Sequence, residues 1–418
     1  MPKPMILAAV GLMAVLAHLV FVYVLLPPRW RVNQSPDYFE VYEPTARNLL
    51  AGKGATGADG KPSVDYPPGF ALILAGTFQT AEALGISEEL GVRIEIVATV
   101  AATGLLVYII AAQIFGWTTG LLASILWSFY PLQLWLSKQP DSGQPFTVLF
   151  LLSIYFLWLS LKEGRGAVLS IFAAGVLAGL SSLVRPIAIS ISLVFLLFLW
   201  LFAPKKNLAR QLALSALLLS GNILAVLPWE NWARQATGKW IPLSMNGPAS
   251  ILDGVTLSAA RKPLTASTPD DVRELIQVLV KEGRGLSTGE LGKLIAREAV
   301  KHPVAAAKLL TMKAARSWYA NDSRQFEMGI AFVQAPYLLL GIWGMLWIAR
   351  NTEGPPRQFA VLAMLCVLYF WMMSTIVLSI VRYMLPVMTL VVICGASRLS
   401  HWFENRRIVK AASSAFMG

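Results

Sequence analysis

Ten stretches of this 418-residue chain contain no Asp, Glu, Lys or Arg: 5–26, 96–115, 119–137, 145–161, 167–184, 186–203, 211–228, 330–349, 359–379 and 383–397. Together they hold 188 residues, so all 35 basic and 23 acidic side chains fall in the other 230. That remainder has about the charge density of an ordinary soluble protein, about 25%. The chain therefore joins two materials, lipid-solvated helices and water-solvated segments. Most of the stretches are 17 to 22 residues long, enough to cross a hydrocarbon layer of about 30 Å at about 1.5 Å per residue. The shortest, 383–397, needs snorkelling flanks or local thinning to span. The expected fold class is an all-α polytopic membrane protein of about ten spans, with two outward-facing segments containing membrane-parallel helices.

Basic residues set the orientation. With the N-terminus inside and ten alternating spans, the inside segments carry a net +9 and the outside segments +3 of the total +12. The inside excess includes Lys205-Lys206 and Arg406-Arg407, as the positive-inside rule expects. The high pI thus reports topology and anionic lipid rather than nucleic acid. Leu25-Leu26-Pro27-Pro28-Arg29 offers no small-residue cleavage site, so the first segment reads as a retained anchor. Three regions follow: a transmembrane module, 1–228, with its first outward loop at 27–95; an outward helical segment, 229–329; and closing helices with a basic tail, 330–418. Placement in a bacterial inner membrane, with both termini cytoplasmic, completes this expectation.

Cys366 and Cys394 both lie within predicted spans and read as small buried hydrophobes. His18, His302 and His401 are too scattered for a ligand cluster, and the intramembrane His18 reads as a packed, hydrogen-bonded residue. No metal or cofactor is expected.

Chemistry is expected outside the spans. Asp37, in Ser35-Pro36-Asp37-Tyr38-Phe39-Glu40, is the candidate base, although Asp followed three residues later by Glu40 is also the pattern of a helix N-cap. Glu43 and Arg47, four apart, read as a solvated helix pair, with Pro44 dividing that helical run. Asp65, before Tyr66-Pro67-Pro68-Gly69, reads as a turn residue. In the second segment Leu275, Val278, Leu279, Leu291, Ile295 and Val300 form an apolar face expected to lie on the membrane or on the first loop. The short outward connections carry only Lys138, Arg185 and Arg382 as basic residues. One such arginine is most simply a snorkelling residue. Two on the same side, each near a proline, make a phosphate site an equal alternative, because guanidinium matches phosphate oxygens bidentately.

The order of an acid in the first outward loop, Tyr42-Glu43-Pro44-Thr45-Ala46-Arg47-Asn48-Leu49-Leu50-Ala51-Gly52, Asp65-Tyr66-Pro67-Pro68-Gly69-Phe70, Gly175-Val176-Leu177-Ala178-Gly179-Leu180 running to Arg185-Pro186, Pro228-Trp229 and Arg382-Tyr383 resembles the GT-C glycosyltransferases. Within them it is similar to the dolichyl-phosphate-mannose protein mannosyltransferase-like branch, which includes the aminoarabinose transferases of lipid A. The resemblance implies a membrane enzyme that moves a sugar from a polyprenyl-phosphate donor to an acceptor on the outer side. It implies Asp37 as the base or acceptor-orienting carboxylate. Some relatives carry a second acid directly after the first, where this chain has Tyr38, and others an acid and a lysine just before the double proline. Asp65 matches that acid, but Tyr66 replaces the lysine, which leaves Lys61, Arg185 and Arg382 for the donor phosphate. Glu40, Glu43, Tyr66 and Lys138 remain possible substrate contacts. A lipid-phosphate sugar has a good leaving group, so a carboxylate and cations suffice without a metal, and direct displacement inverts the anomeric centre. Protein, lipid A and polysaccharide acceptors all stay open. A lipid-linked substrate flippase is the main alternative, and a non-catalytic subunit the other. Coupled transporters place ionisable groups and broken helices near the midplane, which these spans offer little beyond His18.

Overall fold

The computed structural model describes residues 4–161, 165–202, 208–259, 268–323 and 325–416. Lys205-Lys206 lies outside the described residues, and so do the side chains of Arg406-Arg407. The described chain is almost entirely helical, and the charge-free stretches fall largely on helix. The first half comprises α1 (Pro4–Val20), α2 (Glu43–Leu50), α3 (Gly69–Leu84), α4 (Glu88–Phe115), α5 (Trp117–Ser128), α6 (Pro131–Leu136), α7 (Gly143–Ser160) and α8 (Arg165–Val184). The second comprises α9 (Ile191–Phe202), α10 (Leu208–Thr237), α11 (Gly247–Ala259), α12 (Asp270–Gly283), α13 (Thr288–Lys301), α14 (Pro303–Arg316), α15 (Glu327–Asn351), α16 (Pro355–Ile376) and α17 (Leu385–Phe416).

Among the described residues, eight segments are long and apolar enough to cross a membrane: Pro4–Leu25, Glu88–Phe115, Gly143–Ser160, Gly166–Val184, Leu208–Thr237, Glu327–Asn351, Pro355–Ile376 and Leu385–Glu404. Two of the ten predicted spans are shorter or broken. Stretch 186–203 yields only α9 after a short turn, and 119–137 divides into α5 and α6 at Phe129-Tyr130, where Pro131 opens the second piece. Conversely, α10 runs unbroken through Pro228, so no structural break separates the regions divided at 228 and 229.

Close backbone approach holds the bundle. The small-residue pair Gly175 and Gly179 on α8 meets Leu218 and Asn222 of α10, and Gly221 reciprocates against Phe172. A Cβ at Gly175 would run into the Leu218 carbonyl, so this small-residue pair is a packing contact. His18 meets Ser137 Oγ at 3.0 Å from Nδ1, a packed and satisfied histidine.

Helices α11 to α14 form a second small core from Val255, Val272, Leu275, Ile276, Leu279, Leu291, Leu294, Ala305 and Leu309. The predicted apolar face thus packs on its own neighbours, not on the membrane or the first loop. Val300 is 82% exposed: the buried positions of α13 are 291, 294 and 298, at helical spacing, and 300 lies off that face. Lys313 of α14 joins this unit to the membrane helices by donating to the Ile376 and Val377 carbonyls at 3.0 and 3.3 Å, where α16 ends. A cation there meets the negative end of the helix.

Two outcomes follow. Gly175→Ala should destabilise the purified protein by about 1–3 kcal/mol, the cost of overpacking, read by thermal unfolding; an unchanged midpoint contradicts the contact. Burial lowers the Lys313 pKa to about 8 from its ordinary 10.5. Above pH 8 the folded chain sheds a proton that the unfolded chain retains to about 10.4, so stability rises through that window. The midpoint of the wild type relative to Lys313→Met should therefore climb between pH 8 and 10, and a flat difference would contradict it.

Candidate active site

Where α8, α10 and α16 end, a cavity of about 1080 Å³ opens between the membrane helices and the α11–α14 unit. Its floor is built by chain breaks. Pro186 forces the preceding residue out of helical geometry, and Arg185 accordingly has φ −139° and ψ 119° at the end of α8. Its side chain, only 6% exposed, donates from Nη2 to Asp141 Oδ1 at 2.6 Å and from Nε to Ser142 Oγ at 2.9 Å. Asp141 Oδ1 also accepts the Gly143 N–H at 2.6 Å as α7 begins. Arg382 lies in a single turn, Val381–Tyr383, between α16 and α17, and the Val381 N–H donates to the Ala320 carbonyl at 2.8 Å.

The two guanidinium groups share one ring: each carbon lies 5.7 Å from the Tyr383 centroid. They differ in what is left over. Arg185 is committed to Asp141, whereas among the described residues Arg382 has one ion pair, at 3.7 Å with the half-exposed Asp322, and its Nε is buried without a partner. Burial opposes the charge of Arg382, but Asp322 and then Tyr383, Asp141 and Asp37 outweigh it, so its pKa is raised. The floor thus holds a permanent cation with spare donors.

Asp37 lines the same cavity. The sequence left open whether it serves as a helix cap; its backbone is helical and its side chain makes no capping bond. Ser35 takes that place, accepting the Tyr38 N–H on its carbonyl at 3.2 Å. Pro44 divides the following run as expected, into a wide turn over Tyr38–Tyr42 and then α2. Tyr42 and Tyr66 stand beside Asp37 on the wall. The Tyr66 phenol is pushed up first by burial and then by the Asp37 carboxylate, and Tyr42 is pushed up chiefly by burial. Both stay neutral hydrogen-bond donors.

The motif Tyr66-Pro67-Pro68-Gly69 has a packing reason. A Cβ at Gly69 would lie 2.6 Å from the Leu183 carbonyl, so α3 begins directly against the last turn of α8, two residues before Arg185. The opposite wall is a strap, 239–246, held by α10. The Leu243 N–H donates to Glu230 at 2.7 Å, Trp229 Nε1 to the Leu243 carbonyl at 2.9 Å, and the Met245 N–H to the Val64 carbonyl at 2.9 Å.

Asp37, Tyr66, Arg185 and Arg382 are therefore brought together, and the other sequence candidates are not. Lys61 is exposed and pairs with Asp59 at 3.4 Å. Lys138 donates to the Trp30 carbonyl at 3.3 Å and lies over Trp135. Glu43 pairs with Arg47, which also binds Glu88, as a surface network. Glu40 and Asp65 are exposed off the cavity wall. Asp141 was missed by sequence reasoning. Its signal was present: it is the only acidic residue between Glu95 and Glu163, in a short outward connection where only basic residues had been weighed.

The model of the dolichyl-phosphate-mannose-protein mannosyltransferase family matches residues 65–232, which include Asp141 and Arg185. Among solved structures, the archaeal oligosaccharyltransferase AglB from Archaeoglobus fulgidus, in complex with an inhibitory peptide and a dolichol-phosphate, aligns at a TM-score of 0.57 with 13% identity. That match covers 98% of this chain and 52% of AglB. The chain has the fold of this AglB structure. AglB in complex with zinc and sulfate aligns at 0.58 with 12% identity, over 97% of this chain and 51% of that one. ArnT from Cupriavidus metallidurans, bound to undecaprenyl phosphate, aligns at 0.44 with 14% identity, covering 94% and 77%. This chain spans about half the length of the AglB structures it matches. No curated protein matches its sequence.

Gly69→Ala tests the geometry of the cavity floor. It should lower the thermal midpoint, by the equivalent of about 1–3 kcal/mol, and displace the end of α8 on which Arg185 sits. Spectroscopic distances from a probe at 183 to one at 70 should lengthen; unchanged distances would contradict the contact.

Proposed function

We propose that this chain transfers a sugar from a polyprenyl-phosphate donor to an acceptor hydroxyl, with inversion and without a metal, in the cavity above Arg185 and Arg382. The observation that carries the reading is a carboxylate with no ion-pair partner among the described residues, Asp37, in the same cavity as two arginines that lie over a single tyrosine ring. AglB, whose fold this chain has, is described with a dolichol-phosphate, which supports a lipid phosphate as the donor's leaving group here. We place the cavity on the outer side of the membrane, on the charge asymmetry of the connections.

In this reading the lipid phosphate binds Arg382 first, since that guanidinium has unused donors, and Arg185 supports it from its seat on Asp141. As the bond from the anomeric carbon to phosphate oxygen lengthens, charge grows on the phosphate and the fixed cations stabilise it without reorganising. Asp37 removes the acceptor hydroxyl proton while that oxygen attacks from the opposite face. Neutral Tyr42 and Tyr66 donate hydrogen bonds to sugar or acceptor oxygens. The strap 239–246 and the 283–290 turn bound the acceptor's side of the cavity.

Two variants separate the roles. Asp37→Asn should cut turnover about 10²–10⁴-fold, the usual worth of a general base, while donor binding is retained. Arg382→Gln should cut it about 10²–10³-fold, as expected for loss of one electrostatic stabiliser. Both are read as release of labelled polyprenyl phosphate by purified protein. Full activity of Asp37→Asn would remove it from catalysis, and lipid translocation without any transfer by the wild type would favour a carrier.

A further inference from the structure

A second cationic site lies at the opposite end of the bundle from the cavity, and the proposed transferase reaction does not use it. Helices α15 and α17 pack with their backbones in contact: a Cβ at Gly344 would run into the Cys394 carbonyl, and one at Gly341 into Val391. This close approach brings Arg398 of α17 against the indoles of α15. Its guanidinium carbon lies 4.4 Å from the Trp343 centroid and 4.8 Å from that of Trp347. Arg398 Nε is buried without a hydrogen-bond partner, and among the described residues no carboxylate pairs with this side chain. The surrounding face of α15 is apolar and open, with Leu339 70%, Trp343 46% and Leu346 42% exposed. Arg350, seven residues after Trp343 and so on the same helix face, is exposed where α15 ends.

A snorkelling arginine only needs headgroup water. Arg398 differs because two indoles lie against its flat, permanently charged guanidinium and its Nε has no hydrogen-bond partner, beside an apolar face that is open. In such a setting the available counter-ion is a lipid phosphate. We propose that the groove between α15 and α17 binds the phosphate of an anionic glycerophospholipid in the leaflet opposite the cavity, with Arg398 as the bidentate donor and Arg350 as the second cation.

Full-length protein in non-ionic detergent is titrated with phosphatidylglycerol, phosphatidylcholine or polyprenyl phosphate, and thermal stabilisation is followed. Phosphatidylglycerol should stabilise the wild type more than phosphatidylcholine does. Arg398→Ala should need about fivefold more of it, the worth of one basic residue at an anionic surface. Arg357→Ala, also basic and exposed, should behave as the wild type. Trp343→Leu keeps the charge and the apolar face, so it carries the test if Arg398→Ala does not fold, and it should weaken the response in the same direction. Equal responses of the wild type and both groove variants, equal stabilisation by phosphatidylcholine, or a response confined to polyprenyl phosphate would each overturn the proposal.

Discussion

The ion pair between Arg185 and Asp141 is the constraint around which the cavity is organised. A guanidinium 6% exposed at the end of a membrane helix needs a partner, because an unpaired charge there is strongly disfavoured. The chain supplies one from a different helix boundary, so the pair ties the end of α8 to the start of α7. Small residues make room for it: Gly143, whose Cβ would lie 2.6 Å from Asp141 Oδ1, and Gly69, which lets α3 abut the last turn before Arg185. The prolines act through backbone geometry, with Pro186 ending α8 so that Arg185 leaves the helix.

A consequence is that the two arginines are unequal. Sequence treated Arg185 and Arg382 as one clamp, each the lone cation of a short connection. Structure divides them into a seated arginine, neutralised by Asp141, and Arg382, whose Nε is unsatisfied and whose nearest carboxylate is 3.7 Å away and half exposed. In the proposed reaction a phosphate meets Arg382 at little cost and need not evict Asp141. Both guanidinium groups lie over the Tyr383 ring.

Much of this was legible in the sequence because lipid imposes so strict a rule. Charge-free stretches of helix-spanning length revealed the helices, and charge scarcity made Arg185 and Arg382 conspicuous. Legibility failed where local patterns have two physical outcomes. The Asp37 and Glu40 pattern permits a cap, but Ser35 takes the backbone N–H instead, a choice made by local chain geometry. The apolar face of 270–317 was legible as a face, yet its partner was not, because nothing in periodicity distinguishes a membrane surface from a neighbouring helix. Lys61 and Lys138 lie near the site in sequence, but Asp59 and the Trp30 carbonyl hold them elsewhere. Asp141 required knowledge of which helix end meets Arg185, which is tertiary information.

The most direct measurement uses a photoreactive polyprenyl phosphate bearing its label beside the phosphate, with the attachment sites mapped on the wild-type chain. The account predicts labelling of the segments around Arg382 and Arg185, lost in Arg382→Gln and retained in Asp37→Asn. Labelling confined to other segments, and unaffected by Arg382→Gln, would contradict it.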